Sequence, residues 1–277
     1  MPVTWESNLD QVNLNSRHLL DLSGRTVVVT GGNRGIGLGL ARGVAMAGAN
    51  VCVWARNDER SALAVTELHD LGVEASAVTC DVRYEESVTN AMELTVRKFG
   101  QIDALFANAG IIGRTYRFIE MPLSEWQEVL RTNLDGSFLC MREAARHMVI
   151  GGHRGALICV SSTAAIHGAA RREQYAASKA ALLALVRGLA VELGPAGIRC
   201  NALLPGWTES EIFASHRQSQ SGEDSYQRLV QATTNRTPVR RWATASDFES
   251  VAAFLADPTI SHHTGDTVVV DGGYTIF

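Results

Sequence analysis

Short, nearly continuous apolar runs alternate along this chain with stretches in which apolar positions recur every third or fourth residue. The runs lie near residues 25–30, 50–55, 74–79, 102–106, 155–161, 198–204 and 266–270, and each reads as a strand buried on both faces. Between them, spacings such as Ile36, Leu40, Val44 and Ala47 give a helix one apolar side. Strand and helix in strict alternation predict an α/β, doubly wound fold: a seven-stranded parallel sheet with helices on both faces. At 277 residues the chain suits a single domain of this type, assigned to residues 22–277. Residues 1–21 are polar and read as an N-terminal extension.

Two breaks in the pattern carry chemistry. The first strand runs into TGGNRGIG, Thr30 to Gly37, and then into a helical pattern, so its glycines occupy a strand-to-helix turn. Glycine lets a backbone turn tightly and approach a ligand, and the free amides at a helix start attract phosphate oxygens. A lone glycine loop is weak evidence, since many tight turns look alike. The second break is YAASK, which places Tyr175 and Lys179 four residues apart on a helix, after a strand that ends in Ser161 and Ser162. Four residues amount to about 6 Å of rise and about 40° of rotation, so phenol and ammonium leave one face. A cation beside a phenol is expected to lower its proton affinity and make it an acid and base near neutral pH. By itself such a pair is more often a solvated surface pair.

Together these motifs resemble the short-chain dehydrogenase/reductase family over nearly everything from Leu22 onward, in family order. TGGNRGIG is similar to the family's cofactor loop, Cys80-Asp81-Val82 to its adenine-side turn, and Ala107-Asn108-Ala109-Gly110 to its NNAG motif. PGWTES at Pro205 to Ser210 resembles the nicotinamide-side loop, and VDGGY the C-terminal turn. The resemblance implies a Rossmann domain with a catalytic tetrad of Asn133, Ser162, Tyr175 and Lys179. Ser162 would bond the substrate oxygen, Tyr175 would transfer the proton, Lys179 would bond the nicotinamide ribose, and Asn133 would hold a water linking Lys179 to solvent. It implies cofactor contacts at Gly31, Asn33, Arg34, Gly35, Ile36, Gly37, Arg56, Asp81, Val82, Asn108, Ala109, Gly110, Tyr175, Lys179, Pro205, Gly206, Thr208 and Ser210. It also implies a substrate lid over about 207–236 and a homotetramer. Ala107 replaces the first asparagine of NNAG, and Ser210 stands where threonine is usual but keeps a hydroxyl.

NAD-using relatives end the second strand with an acid that accepts the ribose hydroxyls. Here Ala55 stands at that end and Arg56 follows, with Arg34 in the glycine loop. Two guanidinium groups beside a 2′-phosphate favour NADP(H) over NAD(H). The expected activity is therefore NADP(H)-dependent interconversion of a carbonyl and a secondary alcohol. The tail RTPVRRW and the VDGG turn are similar to those of 3-oxoacyl-carrier-protein reductases and sugar-acid dehydrogenases alike. An NAD-dependent sugar or polyol dehydrogenase stays open, as does a cofactor-binding regulator without turnover.

Composition narrows the partners. A net charge of −4 with dispersed Lys and Arg argues against nucleic acid or anionic membrane and leaves a small-molecule substrate. Cys52, Cys80, Cys140, Cys159 and Cys200 fall in apolar patterns without C-x-x-C, which reads as buried thiols in a reducing, cytoplasmic setting. No leader or membrane-length apolar run is evident, and His262-His263 has no ligand spacing, so no metal is expected. Trp54 and Trp126 read as packing residues, and His167 as structural or solvated unless it lines the pocket. The segment ALLALVRGLAVEL after Tyr175 is apolar on more than one face, which a partner subunit would cover. Arg171 and Arg172, just before Tyr175, and Arg217 in the lid could hold a substrate anion. Two consecutive side chains cannot both point inward, and a solvated rim is the alternative.

Overall fold

The computed structural model describes residues 20–209 and 222–277. Seven strands form one parallel sheet: β1 (Thr26–Thr30), β2 (Asn50–Ala55), β3 (Ala75–Thr79), β4 (Ala104–Ala107), β5 (Gly155–Val160), β6 (Ile198–Pro205) and β7 (Thr267–Val270). Their order is β3-β2-β1-β4-β5-β6-β7. The chain reverses direction across the sheet between β1 and β4, which leaves a crevice beyond the carboxyl ends of those strands.

Helices α1 (Gly35–Met46) and α2 (Asp58–Asp70) follow β1 and β2, and α3 (Glu85–Phe99) follows β3. Next come α4 (Leu123–Leu130), α5 (Gly136–Gly151), α6 (Glu173–Leu193), α7 (Gly222–Arg236) and α8 (Glu249–Ala256). Successive strand residues feed opposite sides of the sheet. Val27, Val29, Val51, Val53 and Phe106 pack with Leu40, Leu68, Phe248 and Leu255 of α1, α2 and the α8 region. Val28, Cys52, Trp54 and Leu105 pack with Met92, Met141 and Leu182 of α3, α5 and α6. The central strands β1, β4 and β5 are buried at every position because both of their faces are covered, and Thr26 and Thr30 at the ends of β1 are their only polar side chains.

Helix α1 is held against the start of α8 with unusual closeness. A Cβ on Gly39 or Gly43 would lie 2.0 Å from the carbonyl oxygen of Ala245 or Glu249. This contact fixes α1, and with it the glycine turn that precedes it.

Strand bounds agree with the apolar runs to within a residue or two. All five cysteines are buried, and burial pushes the thiols up, Cys80 to about 11 and Cys159 and Cys200 to about 12. Of the expected lid, Trp207 to Glu209 and α7 are described. Ser210, Ile212, Phe213 and Arg217 lie outside the described residues, as do residues 1–19.

Candidate active site

A cavity of about 910 Å³ opens at the β1/β4 crevice, within the size range of ligand sites. Every expected cofactor residue inside the described region lines it, together with Ser162, Tyr175 and Lys179. Asn133 lies behind the wall, fully buried.

One end is made by the loop between β1 and α1. Gly31 and Gly35 take positive φ of 64° and 51°, a conformation that favours glycine. At Gly37 a Cβ would lie 2.2 Å from the Gly31 carbonyl oxygen and 2.6 Å from Asn108 Nδ2, so no larger residue fits without a shift. The loop is braced from β4: Thr30 Oγ1 accepts the N–H groups of Asn108 and Ala109, both at 2.9 Å. Asn108 Nδ2 donates to the carbonyls of Thr30 at 2.9 Å and Gly31 at 3.4 Å. Asn33 Nδ2 likewise donates to Ser61 Oγ and the Asn57 carbonyl. Two residues read from sequence as cofactor contacts thus spend their side-chain amides on the protein.

Arg34, Arg56 and Arg60 stand around this end, and among the described residues the acids lining the cavity are Asp81 and Glu209. The Asp81 carboxylate takes a bidentate contact from Arg83, at 2.9 Å from Nε and 2.5 Å from Nη2, which holds it below the usual carboxylate range. Arg60 was not singled out in the sequence. It stands in the first turn of α2, whose N-cap Asn57 accepts the Arg60 N–H at 2.8 Å.

The other end is built from side chains. Lys179 Nζ donates to the Val160 carbonyl at 2.7 Å and sits 5.8 Å from the centre of the Tyr175 ring. Ser161 Oγ donates to the Lys179 carbonyl at 2.7 Å, which ties α6 to the end of β5. Ser162 caps the short turn Thr163–Ala165, accepting the Ala164 N–H at 3.1 Å, and so stays at the cavity wall.

Burial dominates the electrostatics of this pair. It pushes the Tyr175 phenol up, against the Ser162 hydroxyl and the Arg172 charge, and pulls Lys179 down to about 8. This corrects the sequence-based expectation that the lysine would depress the phenol, because removal from water outweighs a neighbouring charge.

Asn133 lies in a single π-helical turn, Arg131–Asp135, between α4 and α5, a feature common at functional sites. Its Oδ1 accepts the Ile111 N–H at 2.8 Å, and Nδ2 donates to the Ile111 carbonyl at 2.9 Å and Ser178 Oγ at 3.0 Å. The side chain therefore clamps the segment after β4 that carries Gly110 and Ile111 into the cavity.

The family model described as enoyl-(acyl carrier protein) reductase matches residues 31–275. The chain is 35% identical over 256 residues to the 3-oxoacyl-(acyl-carrier-protein) reductase FabG of Chlamydia pneumoniae, covering 92% of this chain and 99% of the relative. A short-chain type dehydrogenase/reductase from Mycobacterium marinum superposes with a TM-score of 0.85 at 32% identity, over 93% of this chain and 98% of that one. The chain belongs to the short-chain dehydrogenase/reductase family. It is an oxidoreductase of carbonyl and alcohol groups that uses a nicotinamide cofactor. A gluconate 5-dehydrogenase from Burkholderia cenocepacia J2315, solved with NADP and tartrate, superposes at a TM-score of 0.84 and 33% identity, over 94% of this chain and all of that one.

Beyond the residues that the short-chain dehydrogenase/reductase resemblance named, the structure brings an aromatic group to the Tyr175 end. Trp207 stacks on Trp242 at 5.4 Å, and Tyr274 meets the edges of Trp207 and His167 at 6.2 Å each. Trp207, Tyr274 and His167 line the cavity. His167 is thus a wall residue. Tyr274 was missed as a site residue because nothing local in VDGGY says which element it faces. Arg172 lines the cavity and Arg171 does not.

Proposed function

We propose that this protein is an NADP(H)-preferring reductase in which Tyr175 gives its proton to a carbonyl oxygen held by Ser162. The observation that carries the reading is the meeting of Ser162, Tyr175 and Lys179 on the cavity that the glycine loop also walls. The loop geometry fits a dinucleotide: at Gly37 the space is filled by backbone, so only an unadorned chain leaves the amides of the α1 start open to phosphate.

A bound reduced nicotinamide would supply the hydride. Ser162 donates a hydrogen bond to the carbonyl oxygen, and the charge that develops there is met by the phenolic proton of Tyr175. Burial keeps the phenol protonated at neutral pH, as a proton donor must be. Lys179 faces the same cavity to bond the cofactor ribose, and the remaining lone pair of Asn133 Oδ1 is available to a water on the path to Lys179. Pro205, Gly206 and the Thr208 backbone set the carboxamide. Gly206 cannot be enlarged, since its Cβ would lie 2.6 Å from that of Asp271.

The preference for NADP(H) is supported by the guanidinium groups of Arg34, Arg56 and Arg60 and by Ala55 in place of an acid. NADP accompanies the gluconate 5-dehydrogenase neighbour. A homotetramer is supported by apolar surface on α5 and α6, where Ile150 and Val191 are 80% and 81% exposed. Trp207 to Glu209 and α7 would form the lid. No helix among the described residues is long and apolar enough to cross a membrane, and the buried thiols suit a cytoplasmic setting.

The test is loss of absorbance at the reduced-nicotinamide band with NADPH and with NADH, across ketones, keto-acids, sugars and acyl thioesters. Turnover that Tyr175→Phe abolishes supports the assignment. Binding of cofactor without consumption on any substrate would favour a regulator.

A further inference from the structure

We infer that Gln174 and Glu125 are positioning residues for the reaction at Tyr175: they grip the main chain of Arg114 from two sides and so hold residues 110–114 in place against Tyr175 and Lys179. The inference rests on the proposed chemistry at Tyr175 and assigns two residues that stand outside the cavity lining.

After β4 the chain passes along the cavity, and Gly110, Ile111 and Ile112 line it. A Cβ on Gly110 would lie 3.4 Å from Lys179 Nζ and 3.1 Å from Asn133 Oδ1, so this main chain runs against the lysine itself. Beyond Ala107 it has left the sheet, and side chains hold it instead of a neighbouring strand. Asn133 binds both the N–H and the C=O of Ile111. Three residues on, Arg114 is bound in the same way. Its N–H donates to Glu125 Oε1 of α4 at 2.6 Å, and its C=O accepts from Gln174 Nε2 of α6 at 2.9 Å. Gly113 lies between the two grips with a positive φ of 77°, and a Cβ there would lie 2.6 Å from Glu125 Oε1 and 3.2 Å from Gln174 Nε2. Glycine is what lets the chain approach both groups.

The same helix carries the grip and the proton donor. Gln174 precedes Tyr175 in the first turn of α6, and successive helical side chains diverge by about 100°. Tyr175 lines the cavity, whereas Gln174 is fully buried behind it. Ser178, one turn on from Gln174, accepts from Asn133 Nδ2 at 3.0 Å and donates to the Tyr175 carbonyl at 2.7 Å. One face of α6 thus binds the segment after β4 while the adjacent face presents Tyr175 and Lys179 to the cavity. Stability does not account for the Gln174 amide. Its Oε1 is buried and meets no donor among the described residues, and a buried polar atom left unmet destabilises a fold. The hydrogen bond this side chain does make is the one to Arg114. A wall fixed from both sides is what the chemistry requires, because misplacing reacting groups by about 1 Å can cost about 10²-fold in rate.

The experiment compares the full-length wild type with Gln174→Met, Glu125→Met, Glu125→Gln and Gly113→Ala. It measures kcat and KM on a carbonyl found by the absorbance screen, cofactor affinity by calorimetry, and hydrogen exchange of the Arg114 amide. Gln174→Met keeps the length of the side chain and removes the donor. Its kcat should fall by about 10- to 100-fold with KM and cofactor affinity within about threefold of wild type, and the Arg114 amide should exchange about tenfold faster. Glu125→Met should match it, and Glu125→Gln, which keeps an acceptor, should recover most of that loss. Should Gln174→Met not fold, the two Glu125 variants and Gly113→Ala, which pushes the chain off both side chains, decide by the same readings. Unchanged kcat in the folded variants overturns the inference and leaves the reductase reading intact. So does a fall in kcat matched by an equal fall in cofactor affinity, or a Glu125→Gln as impaired as Glu125→Met. A wild type that turns over no carbonyl removes the reductase reading, and this inference with it.

Discussion

The two ends of the cavity are built on different principles. At the glycine-loop end the shape is made by main chain: Gly31, Gly35 and Gly37 turn in a space where a Cβ on Gly37 would collide, and Thr30 and Asn108 brace the turn with hydrogen bonds to backbone. At the Tyr175 end the shape is made by side chains drawn from β5, α6, the β6 exit and the C-terminal turn, with ionisable groups buried among them. A main-chain site tolerates no added atoms but can lose a surface charge cheaply. A side-chain site keeps its fold when one polar atom is removed and loses its chemistry.

The largest effect that tests this contrast is at Tyr175. Tyr175→Phe keeps the ring and removes the transferable proton, so kcat/KM for carbonyl reduction should fall by about 10² to 10⁴ while cofactor affinity stays near wild type. A variant with near-normal turnover would move the proton donor elsewhere. At the other end Gly37→Ala should do the opposite. One added methyl meets the Gly31 carbonyl, so cofactor affinity should collapse, with a stability loss on the order of 1–3 kcal/mol by denaturant unfolding. Gly43→Ala is the control: it meets the Glu249 carbonyl, outside the cavity lining, so it should lower stability with no separate loss of cofactor affinity per folded molecule.

The same contrast explains what the sequence made legible. The alternation of apolar runs and helical spacings gave all seven strands, because a parallel sheet covered on both faces leaves few positions free to be polar. Gly31 to Gly37, Ser162, Tyr175 and Lys179 were legible because each depends on neighbours within one turn or one strand end. Trp207, Trp242 and Tyr274 meet only through the fold, and no local spacing records their stacking. The direction of the Tyr175 shift was misread for the same reason. The i, i+4 geometry of Tyr175 and Lys179 is local, but the burial that outweighs it comes from the whole domain. Asn33 and Asn108 line the cavity, while their hydrogen bonds to Asn57, Ser61, Thr30 and Gly31 are made only by the tertiary structure.

A smaller effect is expected where the charge at the end of β2 is changed. Ala55→Asp with Arg56→Ala adds an acid at the end of β2 and removes a guanidinium from the rim. The ratio of kcat/KM for NADPH over NADH should drop by about 10- to 100-fold, since a charge-assisted contact is lost for one cofactor and an acceptor is gained for the other. If the wild type already prefers NADH, the arginines at this end serve something other than the 2′-phosphate.

The mildest change concerns pH and sharpens the contrast from the side-chain end. Burial pulls Lys179 from its ordinary value of 10.5 down to about 8. Because the folded pKa is the lower one, the unfolded chain binds the proton more tightly between those two values. Burial of the charge is therefore a stability penalty at neutral pH, relieved as pH rises from about 8 toward 10.5. Tyr175 is shifted the other way: its folded pKa is raised above 10.0, so its contribution is intact below that pH and is lost above it. The five buried thiols, raised from an ordinary value of 9.0, also lose stability as pH rises through this window, so the lysine is isolated by the difference between the wild type and Lys179→Met, which share those thiols. In it, unfolding free energy of the wild type should rise relative to Lys179→Met. Across the same window Lys179 sheds the charge that faces an anionic cofactor, so kcat/KM for the reduced cofactor, which reports the free enzyme, should decline above about pH 8. Lys179→Arg keeps its charge throughout, and whatever activity it retains should lack that limb. A wild-type profile flat to pH 10 would mean that Lys179 holds its proton well above 8, and that the buried end of the cavity is better solvated than its packing implies.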